Sequence, residues 1–169
     1  APAAPPAAAP FTEDQVTKKL EDNLEEYTQV GDPKELVTCL NEMLPRLPKG
    51  RTDSLGLQLL QIALPKACDA RTEGPRDRVC GMFGPLAKAN LLKADEVQTL
   101  LKDTLEFLED EVCDVPHIAI YYSRFLAHSI QAGLVPFAFI GGEALQPLVD
   151  ATLVKPDVAV AGKAGAAYM

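Results

Sequence analysis

The chain has 169 residues, 47% of them hydrophobic and 24% charged, with a formal net charge of −8. That is a globular balance in a length that suits one domain with tails. The acidic excess opposes a large nucleic-acid footprint and adhesion to an anionic membrane, because both partners are themselves polyanions.

Residues 1–11 (APAAPPAAAPF) read as a Pro/Ala-rich linker, extended and with nothing to pack. This low-complexity opening and the missing initial Met suggest a segment of a longer protein. The run also lacks the basic start and continuous apolar core of a signal peptide. The first predicted helix starts at Thr12, which stands three residues before Gln15 in the spacing of a capping box. Val16, Leu20, Leu24 and Tyr27 form one stripe, and Gly31 stops the helix. Asp32-Pro33-Lys34-Glu35 restarts it, with Asp as N-cap and Pro at the first helical position. Leu36, Val37, Leu40 and Leu44 follow at helical spacing, so the first two helices form a hairpin. After a loop containing Pro45, Pro48 and Gly50, Thr52 or Asp53 is expected to cap a third helix. That helix carries Leu55, Leu59, Leu60, Ile62 and Leu64 and is apolar on most sides, which predicts a central position. Residues 69–75 read as a polar loop. A fourth helix holds Val79, Met82, Phe83, Leu86 and Ala87, with a kink predicted near Pro85.

The fifth predicted helix runs from 94 to about 110 and shows Val97, Leu100, Leu101, Leu105 and Leu108 on one face. Asp114-Val115-Pro116 is then expected to cap a sixth helix that buries Ile118, Tyr121, Tyr122, Phe125, Leu126 and Ile130 and closes at Gly133. A short helix or pair of helices follows Pro136, and 156–169 is a low-complexity tail. The longest uncharged run, 125–142, is long enough to span a bilayer. His128, Ser129, Gln131, Gly133 and Pro136 divide it into a helix end and a turn, so no membrane association is expected. Six or seven helices in successive hairpins, with no strand alternation, predict an all-α fold: stacked antiparallel helical hairpins resembling atypical HEAT repeats, with the domain at 12–155.

No nucleophile elbow, Walker loop, HExxH or Gly-rich nucleotide fingerprint is present, so enzymatic chemistry and a cofactor are not expected. Cys39, Cys68, Cys80 and Cys113 are scattered without metal-ligand spacing, and they read as reduced thiols of an intracellular protein. The informative feature is charge. Between 93 and 114, Lys93 and Lys102 face eight acids. Within this stretch Glu109-Asp110-Glu111-Val112-Cys113-Asp114-Val115-Pro116-His117 occupies the turn between the fifth and sixth helices. Asp114 is expected to be the N-cap, with its second oxygen facing outward. Acids at a helix C-terminus oppose the macrodipole, and a local cost without a local gain points to a function elsewhere. Glu109, Asp110, Glu111 and Asp114 are therefore the candidate partner-binding residues, a docking surface for a basic partner.

At this turn LEDEVCDVPHIAIYYSRFL resembles the acidic D-x-x-x-D-[IV]-P-H turn and following helix of the MA-three domain, also called the MI domain. LEEYTQVGDPKELVTCLNEM is similar to the opening hairpin of the same family, and Gly133, Val135 and Pro136 match its G-x-V-P segment. The likeness covers about residues 14–140. The family occurs in eukaryotic translation initiation factor 4G and in programmed cell death protein 4. The resemblance implies a stack of HEAT-like hairpins and a non-enzymatic, cytoplasmic, monomeric binding module whose partner is the DEAD-box RNA helicase of translation initiation, factor 4A. It implies that Asp110 and Asp114 contact basic groups on that helicase. A module of a translation inhibitor, or of a splicing or nucleolar scaffold, shares the fold and is the alternative. Direct RNA binding would need a basic stripe, for which Arg46, Lys49, Arg51, Arg71, Arg76 and Arg78 are the candidates.

Overall fold

Helix α1 (Glu13–Val30) begins where Thr12 and Gln15 cap each other: each side chain accepts the other's backbone N–H, at 3.3 and 3.0 Å. It ends at Gly31, whose left-handed φ of 79° turns the chain while its N–H donates to the Tyr27 carbonyl. A Cβ there would strike the Arg78 guanidinium. Helix α2 (Pro33–Met43) starts as the sequence predicts, with the Asp32 carboxylate accepting the Lys34 and Glu35 N–H groups. The computed structural model describes residues 9–142 together with Leu145, Gln146 and Leu148.

The second hairpin is α3 (Leu55–Asp69) and α4 (Glu73–Lys88), joined by only three residues. Much of the predicted polar loop is therefore helical. Helix α3 is capped by Ser54 rather than by Thr52 or Asp53: the Ser54 hydroxyl accepts the Leu57 N–H at 3.1 Å. Ser54 also donates its own N–H and hydroxyl to the Glu96 carboxylate on the following hairpin. Burial alone would raise the Glu96 pKa, but these donors and Lys93 hold it below the ordinary value. Gly56 lets the two hairpins meet backbone to backbone, its N–H on the Leu91 carbonyl at 2.9 Å; a Cβ would lie 2.3 Å from that oxygen. Helix α4 continues through Pro85 to Lys88.

The third hairpin departs most from expectation. Helix α5 (Ala94–Glu106) stops before Phe107, and a separate short turn, α6 (Leu108–Glu111), follows. One turn before the break the Thr104 hydroxyl donates to the Leu100 carbonyl at 2.7 Å. Such a back-bond competes with the helical ladder and bends helices. Helix α7 (Ile118–Gln131) packs on α4 and returns the chain, and a 3₁₀ turn (Phe137–Gly141) follows Pro136. The described residues form no strand, so the fold is the all-helical stack of hairpins that the sequence predicts.

Helix α4 packs against α7, α3, α2 and α1. Its Val79, Met82, Phe83 and Leu86 join Val16, Leu20, Leu40, Leu59, Leu60, Leu105 and Phe125 in one core. Phe11 belongs to this core as well, which corrects its assignment to a linker with nothing to pack. It is buried, its N–H donates to the Arg46 carbonyl at 2.7 Å, and the Arg46 and Lys19 cations lie over its ring. The expected domain end at 155 and the tail at 156–169 lie outside the described residues.

Two substitutions test this packing by thermal or denaturant unfolding. Leu105→Ala removes a buried leucine at the centre of the α5 stripe and should cost about 2–5 kcal/mol. Ser54→Ala removes the α3 cap and should cost about 0.5–2 kcal/mol. An unchanged midpoint in either variant contradicts the placement described.

Candidate functional site

The acidic connection between α5 and α7 is built by two local constraints. The Phe107 carbonyl accepts the Asp110 and Glu111 N–H groups, winding α6. The Glu111 carbonyl then accepts the N–H groups of Asp114 and Val115 at 3.1 and 2.9 Å, folding the chain back. Pro116 disfavours a helical backbone at Val115, and α7 begins at Ile118. Its N-cap is His117, with no side-chain cap. Asp114 is therefore not the cap that the sequence suggested: its N–H is committed to the turn and its side chain is exposed. Nor do the acids crowd the end of α5, since they sit on their own turn beyond the break at Phe107.

The four candidate residues do not behave alike. Asp110 and Asp114 are exposed, and neither carboxylate makes a hydrogen bond or ion pair among the described residues. Glu109 lies in α6, but its side chain is outside the described part of the structure. Glu111 is half-buried and faces a cavity of about 210 Å3 that it shares with Asp114, Val115, Ile118 and Tyr122 on one side. Pro65, Cys68 and Asp69 at the end of α3 form the other side. Burial raises the Glu111 pKa, and the nearby Asp69 raises it further. Burial also pushes the Cys68 thiol up to about 11, beside the Tyr122 hydroxyl, so this thiol stays protonated and unreactive at neutral pH.

Asp69 is not among the candidate residues that the sequence suggests. It lies more than forty residues from Glu111 in a segment that read as loop. The only local signal is that an acid stands at the end of a helix, where the macrodipole disfavours it. Arg76 was also misread. As part of a basic stripe it should be exposed, yet it is 3% exposed. Its guanidinium donates to the Ala67 and Ala70 carbonyls at 3.2 and 2.7 Å and to the Glu73 carboxylate, and it lies 4.2 Å from the centre of the Tyr121 ring. Arg124 from α7 also binds Glu73 and Asp77. These two guanidinium groups hold the Glu73 pKa below its ordinary value. The other stripe candidates are divided: Arg46 stacks on Phe11, Arg51 pairs with Glu13 at 3.2 Å, Arg78 packs on Gly31, and Lys49 and Arg71 are exposed.

Among the described residues no His, Cys, Asp and Glu groups are arranged to hold a metal ion, and no helix is long and apolar enough to cross a membrane. What the geometry offers is a pair of exposed carboxylates without a partner among the described residues, on a hydrogen-bonded turn, beside a cavity with acids on both walls.

Helical hairpins stacked in this order, with an acidic D-x-x-x-D-V-P-H connection, define a helical-repeat domain. The chain belongs to the MA3 domain family, whose model matches residues 16–136. It is 28% identical over 147 residues to eukaryotic translation initiation factor 4 gamma 1 of Mus musculus, covering 87% of this chain and 9% of that protein. The Oryctolagus cuniculus protein of the same name is 28% identical over 130 residues, covering 77% of this chain and 9% of its own length. A von Willebrand factor A domain-containing protein of Dictyostelium discoideum is 25% identical over 137 residues, covering 79% of this chain and 6% of that protein. The chain thus spans less than a tenth of the length of these relatives.

Because its carboxyl holds a proton more tightly in the folded chain than in the unfolded one, ionised Glu111 lowers stability. The slope follows from proton binding: stability falls as pH rises from the ordinary glutamate range through the raised value. Glu111→Gln should therefore raise the melting temperature at pH 7, with the difference vanishing below about pH 4. A difference that persists at low pH contradicts this account.

Proposed function

We propose that this domain is a non-enzymatic docking module of a translation-initiation scaffold, acting in the cytoplasm as a monomer. Its partner is the DEAD-box RNA helicase of initiation, factor 4A, engaged through the acidic connection. Asp110 and Asp114 meet basic groups of the helicase, and Glu109 and Glu111 strengthen the field around them. The observation that carries this reading is the pair of exposed carboxylates with no partner among the described residues, on a turn whose backbone is held by its own hydrogen bonds. Ion pairs formed there require no rearrangement of the domain, which limits the cost of binding. Membership in the MA3 family and the names of the two initiation-factor relatives support it.

Direct RNA binding is the weaker reading. Arg46, Arg51 and Arg76 are engaged inside the domain, which leaves no continuous stripe among the candidates. The alternative of a translation-inhibitor, splicing or nucleolar module would use the same fold and differs in the surrounding protein.

Titration of purified helicase against Asp110→Ala and Asp114→Ala, beside melting curves, tests the proposal. Both variants should melt like the unmodified chain, because neither carboxylate has a partner to lose among the described residues. Each should weaken binding by about 2–5 kcal/mol if the contact is desolvated, and by only about 0–1 kcal/mol if it is an exposed rim pair. Binding should weaken further with added salt. Unchanged affinity in both variants removes these residues from the docking site.

A further inference from the structure

The cavity beside the acidic turn has a second wall. That wall is the end of α3, which carries Asp69. We infer that Asp69 is a further partner-binding residue, and that Arg76 is the positioning residue that holds it opposite Asp114 so that both face one basic group of the partner. This inference rests on the docking reading above.

Asp69 is exposed and has no hydrogen bond or ion pair among the described residues, like Asp110 and Asp114. Its backbone is flanked by Ala67 and Ala70, and the carbonyls of both accept from the same Arg76 nitrogen. Those carbonyls lie at the end of α3, where the helical ladder runs out, and the Ala67 carbonyl also accepts the Ala70 N–H at 3.4 Å. The same guanidinium stacks on Tyr121, and the Tyr121 N–H donates to the carbonyl of His117, the residue that follows Val115-Pro116. One buried side chain therefore contacts the α3 wall and the first turn of α7. A planar fork donating in several directions while its face covers a ring is a geometry that lysine cannot reproduce.

The charges around the cavity are arranged for a cation. Asp69, Glu111 and Asp114 line it, and no Lys or Arg among the described residues does. Arg76 is turned away, its donors committed to the carbonyls and Glu73. The raised pKa of Glu111 agrees with this closeness, since Asp69 is one of its causes. Val115, Ile118 and Pro65 supply apolar walls that suit the stem of an arginine or lysine side chain.

A double-mutant cycle on Asp69→Ala and Asp114→Ala, read by helicase titration, tests both parts. It is run in the unmodified chain, with Arg76→Lys and with Tyr121→Phe, all well below the melting temperatures. In the unmodified chain each single change should weaken binding about thirtyfold or more, as for a desolvated contact. The double variant should lose less than the product of the two, by about threefold or more, because both acids serve one basic group. With Arg76→Lys the two losses should become multiplicative, whereas Tyr121→Phe, which keeps the ring face, should retain the coupling. A merely structural Arg76 would lower stability without changing the coupling. Carboxyl NMR should also show Glu111 titrating closer to the ordinary glutamate range with Arg76→Lys. Binding that ignores Asp69→Ala, or coupling unchanged by Arg76→Lys, overturns this inference and leaves the docking reading standing. No helicase binding by the unmodified chain overturns both.

Discussion

Helix α4 has to bury an apolar stripe and a full positive charge within the same four turns. Val79, Met82, Phe83 and Leu86 place it at the centre of the stack, against α1, α2, α3 and α7. Arg76, near its start, is almost wholly enclosed. Such a charge is tolerated only when it is paired and hydrogen-bonded. The Ala67 and Ala70 carbonyls at the end of α3, the Glu73 carboxylate and the Tyr121 ring meet that requirement. The partners come from both sides of α4, so satisfying one guanidinium fixes how the second and third hairpins meet. The acidic cavity lies at that junction, and its shape follows from a constraint imposed inside the protein.

Chain-local signals were legible wherever the structure uses local physics. The Thr12 capping box, the Asp32-Pro33 start and the Gly31 stop act within four residues, and each stands where the sequence places it. The spacing of Leu101 and Leu105 gave the buried face of α5 for the same reason. The failures are of another kind. Whether Ser54, Asp53 or Thr52 caps α3 depends on Glu96, forty-two residues away, which takes both Ser54 donors. Phe11 packs because Arg46 and Lys19 are there to cover it.

The candidate site divides the same way. The acidic turn was conspicuous in the sequence because its charges are contiguous, and the structure places Asp110 and Asp114 at the surface of a defined turn. Asp114 was misassigned as a cap because an acid before Val-Pro has the look of a helix start, while the turn hydrogen bond to Glu111 depends on where α5 breaks. Asp69 and Arg76 belong to a different hairpin, and nothing in their own neighbourhood announces that they flank the turn. A surface assembled from two hairpins is legible only once the hairpins are stacked.

The central claim is that this surface, with the acidic connection at its heart, is where the partner binds. Amide chemical-shift mapping of the isotope-labelled domain during titration with the purified helicase tests it most directly. The account predicts that perturbations concentrate at residues 108–118 and at the end of α3 around Asp69, and that they fade as salt is raised. Perturbations centred instead on the α1–α2 hairpin, with residues 108–118 unmoved, would contradict it.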